Sequence, residues 1–81
     1  MNLDSFVTFL VKGLVDNPES VKVSKVEGDA SVMLELYVDS DDAELVAGEN
    51  GETLQHLRAV VAAASGRRKA ILELMDGESE E

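Results

Sequence analysis

Gly48-Glu49-Asn50-Gly51 is the stretch of this chain whose residue types and spacing best suit chemistry. Two glycines bracket two polar residues, between a short helical pattern and a long one. Glycine lacks a Cβ, so the backbone of such a loop can approach a phosphate closely. The following helix starts with N–H groups that have no partner inside it, here those of Glu52 and Thr53. The loop thus has the parts of a backbone clamp for a polyanion. Its own side chains oppose that use. In water at about 6 Å one charge contributes roughly 0.7 kcal/mol, so a glutamate in place of a lysine costs about 1.4 kcal/mol. Glu49 and Glu52 together therefore cost about 3 kcal/mol, or roughly 100-fold in affinity, before salt screening. The plainer reading is a helix–helix turn: asparagine and glycine are common turn residues, and Glu52 suits a helix first turn.

Other candidates are fewer. Arg67-Arg68-Lys69 is the basic cluster, to which Lys22 and Lys25 can add. It either contacts phosphates at the rim of a groove or forms a solvated loop that balances local acids. Arg58 falls one turn after Leu54, beside an apolar stripe. It either reaches a groove or pairs with Glu44 or Asp41. His56 is the sole histidine; without cysteine, and with no serine in a nucleophile motif, it supports no triad. Asp39, Asp41, Asp42 and Glu44 crowd four acids into six residues, but lack the glycine and terminal glutamate of a calcium loop. Helix capping is the expectation for them. No catalytic residue, metal, cofactor or small-molecule substrate is expected.

The chain has 17 acidic and 7 basic residues, a formal charge of −10. Such a field repels polyanions and suits a basic protein partner. The aromatic residues are Phe6, Phe9 and Tyr37, too few for a base-stacking platform. The N-terminus has no basic region and is interrupted by Asp4, so no signal peptide is expected. No apolar run approaches the ~20 residues of a membrane span. The expectation is a soluble, cytoplasmic protein. Its 81 residues make one domain with a thin core and no cysteine to reinforce it, so association with a partner would help.

The elements that must position the loop follow from hydrophobic periodicity. Leu3, Phe6, Val7, Leu10 and Leu14, with Val11, predict a first helix capped by Asn2 and ended by Asp16-Asn17-Pro18. Val21 to Val26 is a β-branched strand whose alternation breaks around Lys25. Glu27-Gly28-Asp29 is a turn, and Ala30 to Val38 alternates cleanly, with Val32, Leu34, Leu36 and Val38 on one face. Asp41 with Glu44 fits a capping box for a short helix, with Ser40 as the alternative cap. Leu54, Leu57, Val61 and Ala64, broadened by Val60 and Ala63, predict a longer helix against a sheet, closed by Gly66. Ala70 to Met75 is the last strand, and 76–81 an acidic, flexible tail. The order is α-β-β-α-α-β: an α+β domain over 1–75, its three-stranded mixed sheet covered by helices on one face.

That order, with two glycines between the last two helices, resembles a type II KH domain. The whole chain is similar to the small single-domain bacterial KH proteins of the KhpA type. The residues that carry the likeness are Leu14-Val15-Asp16-Asn17-Pro18, Val26-Glu27-Gly28, Gly48-Glu49-Asn50-Gly51, and the helix Leu57 to Ala64. Gly48, Gly51 and Arg58 match the family. Ala47, Glu49 and Glu52 depart from it, standing where relatives usually carry a hydrophobic residue before the first glycine and two bases, one inside the loop and one just after it.

The resemblance implies non-catalytic binding of single-stranded RNA, and either a homodimer or pairing with a Jag/KhpB-type KH protein. RNA would lie along the helix at 41–47, the loop Gly48, Glu49, Asn50, Gly51, and the helix start at Glu52 and Thr53. Gln55 and Arg58 would be the polar contacts to bases, with Arg67 and Arg68 at the rim. The acidic loop implies weak affinity. The alternative is a KH scaffold that serves protein interaction or dimerisation and no longer binds RNA.

Overall fold

A computed structural model describes residues 2–75; the tail expected at 76–81 lies outside the described residues. Helix α1 spans Leu3–Lys12, strands β1 and β2 span Lys22–Glu27 and Ser31–Tyr37, and helices α2 and α3 span Ala43–Ala47 and Glu52–Ser65. Strand β3, Lys69–Met75, follows. Short 3₁₀ turns at 18–20, 40–42 and 49–51 join them. The sheet order is β1-β2-β3. β1 runs antiparallel to β2, and β2 parallel to β3, as a strand–helix–helix–strand crossover requires. The architecture is the expected α+β order with a mixed sheet.

Strict alternation along β2 sets the two faces. Val32, Leu34, Leu36 and Val38 are buried and meet Val7 and Val11 of α1, Val46 of α2, Leu57 and Val61 of α3, and Leu72 of β3 in one core. All three helices therefore lie on one side of the sheet. The break in β1 alternation has a cause in this packing. Lys25 is paired with Leu34 and so points to the helix side, where its ammonium lies 3.8 Å from Asp4 of α1 and 3.5 Å from Glu27. Val26 consequently faces the open side, 55% exposed.

Four local expectations need correction. Helix α1 ends at Lys12, before Asp16-Asn17-Pro18, because Gly13 closes it; Leu14 then falls outside the stripe and is exposed. Asn2 occupies the cap position without a side-chain cap bond. Asp39 caps the 3₁₀ turn at 40–42, its carboxylate accepting from the Asp41 N–H at 2.9 Å, and Asp42 holds the N-cap position of α2 without a side-chain cap bond, so neither Asp41 nor Ser40 plays that part. On α3, only Leu57 and Val61 are buried, with Leu54 half-buried; Val60, Ala63 and Ala64 are exposed. One sheet covers only one side of a helix, so the wider stripe has nothing to pack on.

Asp42 is the one buried charged residue among those described. Its carboxylate accepts from the backbone N–H groups of Asp16 at 3.3 Å and Asn17 at 3.0 Å, and from the Asn17 side-chain amide at 3.1 Å. Burial of a carboxylate is tolerable when several donors satisfy it. The acid therefore ties the segment after α1 to the entry of α2, where capping alone was expected.

Candidate nucleic-acid interface

The Gly48–Gly51 loop joins α2 to α3, and its path is set by backbone conformation. Gly48 closes α2 by donating its N–H to the Glu44 carbonyl at 2.8 Å. It has φ 80° and ψ 171°, a region essentially confined to glycine. A Cβ there would lie 2.6 Å from the Thr53 nitrogen and 2.7 Å from its Cβ, and would collide with its hydroxyl. Gly48 thus brings the loop backbone directly against the first turn of α3. Asn50 and Gly51 both adopt left-handed conformations, and Gly51 donates its N–H to the Gly48 carbonyl at 3.1 Å. Unlike Gly48, Gly51 has open space where a Cβ would stand.

Gly51 also occupies the N-cap position of α3, and no side chain among the described residues caps this helix. The positive end of the α3 dipole is therefore left to solvent or to an anion. One amide expected to be free is not: the Glu52 N–H donates to the Glu49 carbonyl within the turn. Glu49 and Glu52 are both exposed, and neither forms an ion pair among the described residues. No cation offsets their charge among the described residues, and the helix dipole alone favours that of Glu52.

Thr53 is half-buried beneath Gly48, and Gln55 is exposed one turn further on. Arg58 makes neither of the ion pairs considered for it. Its Nε donates to the Leu72 carbonyl of β3 at 3.0 Å, which holds the side chain across from α3 to the sheet. Loop, Thr53, Gln55 and Arg58 thus share the N-terminal half of α3, with Leu54 and Leu74 half-buried alongside.

Arg67 and Arg68 are not brought there. They follow the C-terminus of α3, whose 14 residues span about 21 Å. Arg68 is engaged locally, 3.5 Å from Glu27 and donating to the Ser31 carbonyl at 3.3 Å. Lys25 joins the same group, so two cations there face Glu27 and Asp4. His56 is exposed on α3. No group of three or more histidine or acidic side chains among the described residues is placed to hold a metal. No described helix is long and apolar enough to cross a membrane. Sequence reasoning missed Asp42 as an anchor, and it did not single out Asp39 among the acids expected to cap; both lie in an acidic run that gives each residue the same signal.

Two crossover helices joined by a two-glycine loop, on a β-β-α-α-β core preceded by a helix, define a KH domain. The chain belongs to the KhpA/KhpB KH-domain family, whose model matches residues 4–74. Its relatives include the RNA-binding protein KhpA of Streptomyces coelicolor, 43% identical over 65 residues, covering 80% of this chain and 82% of the relative. The RNA-binding protein KhpA of Clostridium perfringens is 36% identical over 75 residues, covering 90% of this chain and all of the relative. That of Caldanaerobacter subterraneus is 33% identical over the same length, with the same coverage. These relatives are bacterial, and the family is not an enzymatic one. No solved structure matches the chain.

Proposed function

We propose that the protein is a non-catalytic, cytoplasmic KH-type protein that binds single-stranded RNA weakly and works with a second KH subunit. The observation that carries this is the loop itself. Gly48 sits where a side chain cannot, Gly51 opens an uncapped helix start, and relatives with nearly full-length coverage bear the name RNA-binding protein. RNA backbone would pass over Gly48, Glu49, Asn50 and Gly51 toward Thr53. Bases would meet Gln55 and the terminal nitrogens of Arg58, whose Nε is already held. Arg67, exposed beyond the end of α3, would meet only a strand that runs the length of that helix.

The exposed Val60 and the small residues Ala59, Ala62 and Ala63 on α3 support subunit pairing, as a homodimer or with a Jag/KhpB-type partner. They form an apolar strip that a lone domain leaves in water. The uncompensated glutamates favour weak affinity, and they also support a second reading, a KH scaffold devoted to protein interaction.

Fluorescence anisotropy of labelled single-stranded RNA pools separates the two. Wild type and a Glu49→Lys/Glu52→Arg variant are compared at low and moderate salt. The expected result is weak binding by wild type, gain of up to about 100-fold in the variant at low salt, and loss of that gain as salt rises. No binding by either protein would reject the RNA reading and leave the interaction scaffold.

A further inference from the structure

We infer that the open face of the sheet is a docking surface for an apolar, arginine- or lysine-bearing segment of another protein. The helices all pack on one side, so the other face of the sheet is uncovered among the described residues. In register, its first row is Val26, Met33 and Ile71, its second Ser24, Glu35 and Glu73, and its third Lys22, Tyr37 and Met75. An apolar row and a second row, apolar but for Lys22 at its corner, thus flank a pair of carboxylates. Glu35 and Glu73 lie directly opposite each other on parallel strands, about 4.8 Å apart at the backbone.

Like charges directly opposite in a sheet are unfavourable, yet among the described residues no cation pairs with either. Glu35 accepts only the Tyr37 hydroxyl, at 3.4 Å, and neither acid forms an ion pair among the described residues. Lys22, at the corner of the face, is the nearest base in register and is likewise unpaired among them. The apolar members are substantial: Val26 is exposed, and Met33, Ile71, Tyr37 and Met75 are half-exposed.

Charge selects the occupant. A second copy laid face to face would bring four carboxylates and only two lysines, the Lys22 of each copy, into one largely apolar interface, which net repulsion and desolvation both oppose. RNA is repelled by the same pair. A segment whose leucine-like residues cover the apolar side chains of the outer rows, and whose cation falls between the carboxylates, satisfies every group on the face except Lys22, which sits at its corner and stays in water. This site lies on the opposite side of the sheet from the loop, so it can be filled while the loop is engaged.

Amide NMR tests the inference, with a short amphipathic helical peptide of leucine and arginine as probe. Its counterpart of leucine and glutamate is the control. Shifts from the arginine peptide should map to outward residues of β1, β2 and β3. A Glu35→Gln/Glu73→Gln variant, which keeps side-chain shape and relieves repulsion, should bind about tenfold more weakly. Shifts mapping to α3 or the loop would overturn the inference. So would equal binding of the glutamate peptide, unchanged affinity in the variant, or broadening of this face on concentration alone, which would assign it to a second copy.

Discussion

Replacing Gly48 by alanine tests whether the loop is held by geometry or merely permits it. The backbone at φ 80° and ψ 171° costs a non-glycine residue about 1–3 kcal/mol. The added methyl would stand 2.6 Å from a helix nitrogen and 2.7 Å from the Thr53 Cβ, so the first turn of α3 must shift. Overpacking of that kind costs about 1–3 kcal/mol more. The expected total is about 2–6 kcal/mol, a large part of the ~4–12 kcal/mol available to a domain of this size.

Gly51→Ala is the matched control, since it is left-handed too but meets nothing within 4 Å. Its expected cost is about 1–2 kcal/mol, from backbone conformation alone. Urea denaturation followed by circular dichroism reads both. With a slope near ~1 kcal/mol per M, the midpoint should fall by about 2–6 M for Gly48→Ala and about 1–2 M for Gly51→Ala. Equal shifts would refute the reasoning, because they would mean that the close approach to Thr53 contributes nothing.

Asp42→Ala should cost about 2–4 kcal/mol in the same assay, since it strips an acceptor from three donors. Asp42→Asn should fall between it and wild type. Tyr37 has its pKa raised above 10.0 by burial, then by the charge of Glu35 and the hydrogen bond to it. The folded state holds this proton more tightly than the unfolded state. Stability from that difference is therefore intact below pH 10 and lost as pH climbs through the folded value. As the sole tyrosine in a chain without tryptophan, it is read cleanly by phenolate absorbance. Its midpoint should lie above 10.0 and fall back in Glu35→Gln.

Much of the fold was legible because period-two and helical patterns are local. The alternation from Val32 to Val38 set the core face, and the two intervening helices forced β3 parallel to β2. The loop was legible for the same reason, through two glycines between helices. Partners distant in sequence were not. Nothing near Asp42 shows that its ligands are Asp16 and Asn17, and nothing near Arg58 points to the Leu72 carbonyl. The basic run at Arg67 was read as a rim because composition gives charge without position. The length of α3 decides its distance from the loop.

The parallel pairing of β2 with β3 bears on how the molecule assembles. Ser31 meets Lys69 and Tyr37 meets Met75, so every rung of that ladder closes across α2, the glycine loop and α3 together. The β1–β2 hairpin closes over a short turn and needs none of them. Chain-closure entropy and long-range pairing slow such a crossover relative to a hairpin. The hairpin is thus available as a template, while the last strand can zip up only after the chain has reversed through Gly48 and Gly51. The glycines that shape the surface loop also sit at the step that completes the sheet, so chain reversal and loop shape are constrained by the same two residues.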